Sequence, residues 1–60
     1  MNPPNTIEIK SDSNILTLKD TVKTKEGLRY QYTYSKSLTK LGDTLELSEI
    51  ELSKLIKVNT

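Results

Sequence analysis

The chain has 60 residues, 33% of them hydrophobic, and a formal net charge of +1. A chain of this length forms one domain at most, near the lower limit for folding without a metal, a disulfide or a partner. It has no cysteine and no histidine, which excludes disulfides and thiol chemistry and removes the commonest metal ligand and general base. We therefore predict a protein that is not an enzyme, has no cofactor or metal, and gains stability by forming a homodimer.

The amino-terminal stretch Asn2-Pro3-Pro4-Asn5 suits neither a helix nor a central strand, because proline removes a backbone donor and forces its predecessor toward extended geometry. We predict a flexible tail over residues 1–5 and a single domain over residues 6–60. The chain contains no apolar run long enough to cross a membrane and does not start like a signal peptide. It is therefore predicted to be cytoplasmic, without a membrane partner.

Alternation of apolar and polar residues from Thr6 to Lys10 predicts a short strand with Ile7 and Ile9 facing inward. The polar residues 11–14 favour a turn, because their side chains hydrogen-bond to their own backbone. The turn leads into a long β-hairpin over residues 15–37, which gives a meander of three strands.

The hairpin loop is predicted from Gly27, which takes a positive φ without a steric penalty. A three-residue loop with a glycine bulge would pair Val22 with Tyr30, and Leu18 with Tyr34. One face would then carry the apolar and tyrosine side chains, and the other face would be wholly polar. Asp20 is the exception, since this register places it inward, opposite Tyr32.

The last element is predicted to be a helix capped by Ser48, with Glu51 completing the capping box and Leu47 packing on Leu52. This helix runs from Glu49 to Val58. Two alternatives remain, since Asp43 has the same spacing to Glu46, and residues 44–52 also suit a continued strand. The predicted fold is α+β, a small three-stranded antiparallel meander with one C-terminal α-helix packed on one face.

Three tyrosines on the second hairpin arm, Tyr30, Tyr32 and Tyr34, are the first candidate site. The arm is about 30 Å long, whereas the helix is only about 15 Å long, so the helix cannot cover the whole row. The tyrosines either fill the core, contact a partner protein or a second copy, or stack on single-stranded bases. Together with Ile50 and Val58, which fall off the main apolar face of the helix, they are the predicted partner-binding residues.

Charged residues supply two further candidates. The basic residues Lys19, Lys23 and Arg29, with Lys25 at the tip, are predicted to share one hairpin face, which would bind phosphates or an acidic partner or simply face solvent. The acidic residues of the last part of the chain are explained by helix capping and by the helix dipole. They are Asp43, Glu46, Glu49 and Glu51.

A tyrosine-bearing hairpin followed by the helix start Leu47-Ser48-Glu49 resembles the small uracil-DNA glycosylase inhibitors of some phages. Those inhibitors are strongly acidic, whereas this chain has a net charge of +1, so we do not assign the chain to that family. Size and composition predict a small binding protein, such as a phage or mobile-element inhibitor or adaptor of a larger host protein, acting as a homodimer. The alternative is a small nucleic-acid-binding protein that uses the basic hairpin face.

Overall fold

The computed structural model describes residues 2–36 and 43–59, and within these ranges it contains four strands and one helix. The elements, in chain order, are β1 (Thr6–Ile9), β2 (Asn14–Thr24), β3 (Gly27–Tyr34), β4 (Thr44–Ser48) and α1 (Glu49–Val58). The strands form one antiparallel sheet in the order β1-β2-β3-β4. The prediction of a small antiparallel α+β fold with a C-terminal helix is confirmed. The end of the predicted hairpin arm, at residue 37, lies outside the described residues.

The prediction of three strands is wrong, because β4 is a fourth strand. Leu45 and Leu47 alternate with polar residues and pair with Tyr32 and Tyr30 of β3. This alternation was the basis of the alternative in which the strand continued to residue 52. The strand ends at Ser48, however, because the helix begins there without an intervening loop.

The predicted start of α1 is confirmed. Ser48 Oγ accepts a hydrogen bond from the Glu51 N–H at 3.2 Å, and the Ser48 N–H donates to Glu51 Oε1 at 2.9 Å. Leu47 and Leu52 are both buried in the same hydrophobic cluster, as expected for a hydrophobic staple. The cap therefore fixes both where the helix begins and how it is directed onto the sheet.

The hairpin register differs from the prediction. The loop has two residues rather than three, since Thr24 pairs with Gly27, although Gly27 does have a positive φ of 123°. A β-bulge at Lys19, between Leu18 and Asp20, then shifts the pairing. Compared with the prediction, the pairing is shifted by one residue between the loop and the bulge, which exchanges the two faces of β2 there. Beyond the bulge it is shifted by two residues, which restores them.

The corrected pairs place Leu18 opposite Tyr32 and Leu16 opposite Tyr34. Asp20 pairs with Gln31 instead of Tyr32, so it is not directed into the apolar row. It is exposed, and its carboxylate accepts a hydrogen bond from the Thr21 N–H at 2.8 Å. The bulge therefore removes the one inward acid that the simple alternation had predicted.

The core lies between the sheet and α1. Its buried members come from every element and are Ile7, Leu16, Tyr30, Tyr32, Leu47 and Leu52. Leu55 and Ile56 of the helix pack against this cluster, which confirms the predicted apolar face of the helix. Tyrosine supplies the bulk that phenylalanine or tryptophan, both absent from the chain, would give in another small protein.

Part of the predicted tail is attached to the sheet. The Leu18 N–H donates to the Asn5 carbonyl at 2.7 Å, and the Tyr32 hydroxyl donates to the Pro4 carbonyl at 2.7 Å. Pro4 and Asn5 are therefore hydrogen-bonded to β3 and β2 instead of forming a free segment.

Candidate protein-binding surface

Tyr30 and Tyr32 are interior residues, with exposed fractions of 1% and 0%. For these two residues, the structure confirms the alternative in which the tyrosines fill the core. A contact between their side chains and a partner, or stacking on a base, is incompatible with this packing. The helix length had suggested an uncovered row, but the amino-terminal segment also contacts it, since the Tyr32 hydroxyl lies 2.7 Å from the Pro4 carbonyl. Tyr34 is half-buried at the end of the row.

The two buried phenols differ in their hydrogen bonding. The Tyr32 hydroxyl donates to the Pro4 carbonyl, whereas the Tyr30 hydroxyl is buried and has no hydrogen-bond partner among the described residues. Burial raises the pKa of Tyr32 above its ordinary value of 10.0, and the neighbouring Tyr30 phenol adds to the rise. Tyr32 therefore serves packing as a neutral group near neutral pH.

The predicted basic face is not formed. Lys23 pairs with Leu28, on the side of the sheet that carries the tyrosines, whereas Arg29 pairs with Val22 on the opposite side. Lys19 is the extra residue of the bulge, and Lys25 lies in the loop. The bulge is the physical reason, because it reverses which face the tip of β2 presents.

Arg29 is engaged with carboxylates. Its Nε lies 3.2 Å from Glu46 Oε1, and its Nη1 lies 3.8 Å from Glu51 Oε1. Gln31 Nε2 also donates to Glu46 Oε2 at 3.0 Å. The hydrogen bond from Gln31, followed by that from Arg29, lowers the pKa of Glu46, and hydrogen bonds from Ser48 lower that of Glu51. The explanation by helix capping thus holds for Glu51, while Glu46 belongs to a cluster on the sheet.

The sheet face away from the helix carries a row of threonines in register across all four strands. Thr6 pairs with Thr17, Thr17 with Thr33, and Thr33 with Thr44. Short hydroxyl side chains are compatible with a solvated sheet face and with cross-strand pairing. This part of the predicted polar face is confirmed.

A buried polar residue, Asn14, was missed by the sequence analysis. Its Oδ1 accepts hydrogen bonds from Ser35 Oγ at 2.7 Å and from the N–H groups of Lys36 and Ile15 at 3.0 Å, and its Nδ2 donates to the Lys36 carbonyl at 3.3 Å. These bonds tie the start of β2 to the end of β3. The available signal was an asparagine where a polar turn meets a strand, a position where its side chain replaces backbone pairing. Since Asn14 is completely buried, its role is structural.

The large apolar side chains that remain accessible do not form one patch. Ile50 is 69% exposed and Val58 is 81% exposed, and they lie at opposite ends of α1. Leu28, near the hairpin tip, is 40% exposed and lines the same groove as Ile50. The structure thus brings one predicted site residue, Ile50, together with one that was not predicted, Leu28, and leaves Val58 apart.

This groove, hereafter the tip groove, lies between the hairpin tip and the first turns of α1. Residues 26–28 form one wall and Ile50, Ser53 and Lys54 line the other, around a volume of about 480 Å³. That is within the size range of ligand sites, roughly 300 to 1,000 Å³. Leu28 and Ile50 are its large apolar lining residues, while Glu26, Glu49 and Lys54 supply charges.

A second, smaller groove of about 260 Å³ lies between the amino-terminal segment and the end of α1, where Pro4, Ile7 and Ile56 line it. Asn59 crosses this region, since its Nδ2 donates to the Leu55 carbonyl at 2.9 Å and its Oδ1 accepts from the Lys10 N–H at 3.4 Å. These bonds hold the helix end against β1, which favours a packing role for this groove.

Comparison of the chain with models of known families, with curated proteins and with solved structures finds no significant match. Function is therefore inferred from the surface of the chain itself.

In residues 2–36 and 43–59, no helix combines the length and apolar character needed to span a bilayer. The same ranges hold no group of three or more potential metal-ligating side chains.

Proposed function

We propose that the protein is a non-enzymatic binding module that docks on a larger protein through the tip groove. The observation that carries this proposal is the pair Leu28 and Ile50, which remain accessible side by side although the other apolar groups of this face are drawn into the core. Apolar anchors surrounded by charged residues are the usual composition of a protein interface.

The state of the acidic groups supports a binding role over a catalytic one. A general acid or base works best with a pKa near the working pH. Hydrogen bonds instead lower the pKa values of Glu46 and Glu51, which keeps both carboxylates ionised at neutral pH. A chain that acts by occupying a surface is an inhibitor or an adaptor, in keeping with the expectation from its size and composition.

We also retain the homodimer as part of the proposal, and place it at the other end of α1. Val58 lies eight positions after Ile50, about 12 Å along the helix axis, so a second copy at Val58 leaves the tip groove open. Native mass measurement at micromolar concentration is the direct test. A monomer alone, with no change on replacing Val58 by lysine, removes the dimer from the proposal.

The alternative of nucleic-acid binding has less support, because the basic residues do not share a face and Arg29 lies beside two carboxylates. A mobility shift with single-stranded DNA or RNA at low salt, lost at moderate salt, would restore it.

The decisive experiment compares two substitutions on one helix. The wild-type chain, Ile50→Lys and Val58→Lys are each used as bait for proteins in a cell lysate, after circular dichroism has shown equal folding. Both positions are exposed, so both variants keep the core. We expect Ile50→Lys to lose the captured partner and Val58→Lys to keep it. Capture that is equal for all three baits contradicts docking through the tip groove.

A further inference from the structure

The half of β2 nearest the hairpin tip has a neighbouring strand on one side only. β1 pairs with the other half, and on that side the bond nearest the tip joins the Leu18 N–H to the Asn5 carbonyl. The chain before Asn5 lies against the side of the sheet that carries the tyrosines, since the Pro4 carbonyl accepts from the Tyr32 hydroxyl. Among the described residues, residues 20–24 therefore have β3 as their single strand partner.

Within this half, the backbone groups of Thr21 and Lys23 point away from β3. Successive residues of an antiparallel strand direct their N–H and C=O groups to alternate sides. The Tyr34 N–H donates to the Asp43 carbonyl, which places the backbone groups of Tyr34, and by alternation those of Tyr30, on the β4 side. Thr21 pairs with Tyr30, so it exchanges no backbone hydrogen bonds with β3. Its own groups, like those of Lys23, face the open edge.

The side chain of Asp20 occupies one of these outward groups. Its Oδ1 accepts a hydrogen bond from the Thr21 N–H at 2.8 Å, so a donor that an added strand would use is already bonded. Asp20 follows the bulge at Lys19, and both residues are exposed. Bulges and charged side chains are the means by which natural sheets keep an edge from pairing with another chain, and this edge has both.

Without that carboxylate, the edge would be complementary to itself. Two copies of β2 related by a two-fold axis run antiparallel, and an axis at Val22 sets the outward Thr21 of one copy opposite the outward Lys23 of the other. Paired residues of this kind exchange both N–H···O bonds, and one bond of each exchange requires the Thr21 N–H. Because Lys23 faces Thr21 in this register, like charges do not lie directly opposite each other. A second copy is therefore the occupant that fits an unblocked edge.

We propose that Asp20 blocks the open edge of β2 against pairing with a second copy of the chain, by holding the Thr21 N–H. The operative feature is the acceptor oxygen rather than the negative charge, because the bonded oxygen is what removes the donor. The blocked edge is a different surface from the proposed dimer contact at Val58, and it does not depend on docking through the tip groove.

The test compares Asp20→Ala with Asp20→Asn in the full chain carrying Val58→Lys, which removes the dimer contact at the helix end. Both substitutions at Asp20 remove the charge, whereas alanine alone removes the acceptor, since the asparagine side chain keeps a carbonyl oxygen. In NMR at low protein concentration, we expect the Thr21 amide to exchange with solvent roughly two- to ten-fold faster in Asp20→Ala, after correction for its intrinsic rate. Raising the concentration should shift the Thr21 and Lys23 amides and increase the sedimentation coefficient in Asp20→Ala, and in neither the parent nor Asp20→Asn.

A further substitution locates the contact. Lys23→Pro removes the outward donor of residue 23 and leaves the ladder to β3 intact, because proline is tolerated on an edge strand where the N–H faces solvent. Added to Asp20→Ala, it should abolish the association. The loss of a positive charge cannot explain that result, because it would reduce the repulsion between two copies.

The proposal is wrong if Asp20→Ala stays monomeric up to millimolar concentration, or if its Thr21 amide exchanges no faster than that of Asp20→Asn. Equal association of both variants would assign the effect to the lost charge, and association that survives Lys23→Pro would assign it to another surface. Concentration-dependent shifts of Thr21 in the parent would show that the edge is open without any substitution. Each of these results also refutes the proposal.

Discussion

The two buried tyrosines give a matched pair of substitutions that tests the packing of the core. Tyr30→Phe and Tyr32→Phe each remove one hydroxyl and keep the ring. Tyr32→Phe removes the 2.7 Å hydrogen bond to the Pro4 carbonyl. A bond of this kind stabilises a fold by about 0.5 to 1.5 kcal/mol, so this variant should be destabilised by that amount. Tyr30 loses a buried hydroxyl without a partner among the described residues, and removing it should be neutral or stabilising by up to about 1 kcal/mol, since an unsatisfied polar group is costly to bury.

The difference between the two variants is measurable because the free energy of unfolding of the whole domain is small. A chain of this size is stabilised by roughly 3 to 9 kcal/mol, and about 1 kcal/mol shifts the melting temperature of a domain this small by about 4 to 8 °C. Urea unfolding at pH 7, followed by circular dichroism, should give a lower midpoint for Tyr32→Phe and an unchanged or higher one for Tyr30→Phe, with equal slopes. Equal destabilisation by both substitutions would refute the argument, since it would mean that the Tyr30 hydroxyl makes a hydrogen bond after all.

Further predictions concern pH, the cap, the polar network and the bulge. Because the pKa of Tyr32 is raised above 10.0 in the fold, the stability that its protonated phenol contributes is fully present below pH 10 and is lost as the pH rises through the folded-state pKa. The urea midpoint should therefore be lower at pH 11 than at pH 9, and the decrease should be smaller in Tyr32→Phe. Ser48→Ala removes the cap and should cost about 0.5 to 2 kcal/mol, whereas Ser53→Ala, an exposed position within the helix, should not lower the thermal midpoint. Asn14→Ala removes the buried side chain that bonds Ser35 and Lys36 and should cost about 1 to 3 kcal/mol in urea unfolding. Deleting Lys19 removes the bulge and should leave the tyrosine pairings intact but increase association in sedimentation experiments, because a flat strand edge pairs more readily with another chain.

The helix could be predicted from the sequence because its determinants are local. The cap Ser48, its partner Glu51 and the staple between Leu47 and Leu52 all lie within six residues of chain, and the observed bounds, Glu49–Val58, are those predicted. The fourth strand was harder to predict. Residues 44–48 alternate over a stretch too short to distinguish a strand from the approach to a helix, and only pairing with β3 selects the strand.

The register could not be read from alternation alone. One extra residue at Lys19 moves Asp20 and Val22 to the opposite face, and nothing in the pattern of apolar residues marks where such an insertion occurs. The one warning was Asp20 itself, because an acid predicted to face inward in an apolar row needs a partner. The bulge resolves this conflict by exposing the carboxylate and engaging it with the Thr21 N–H, which also occupies a donor at an otherwise open edge.

The tip groove follows from the way in which β4 becomes α1. Since Ser48 is both the last residue of the strand and the cap of the helix, the chain leaves the sheet at the residue that would otherwise pair with Leu28. The same step places Ile50 on the first turn of the helix, where it lines the tip groove together with Leu28. A loop at this junction, or one further pair in the ladder, would cover Leu28 and close the groove. The cap sequence that makes the helix predictable is therefore also what leaves the tip groove open, and the two cannot be separated by mutation without moving the end of β4.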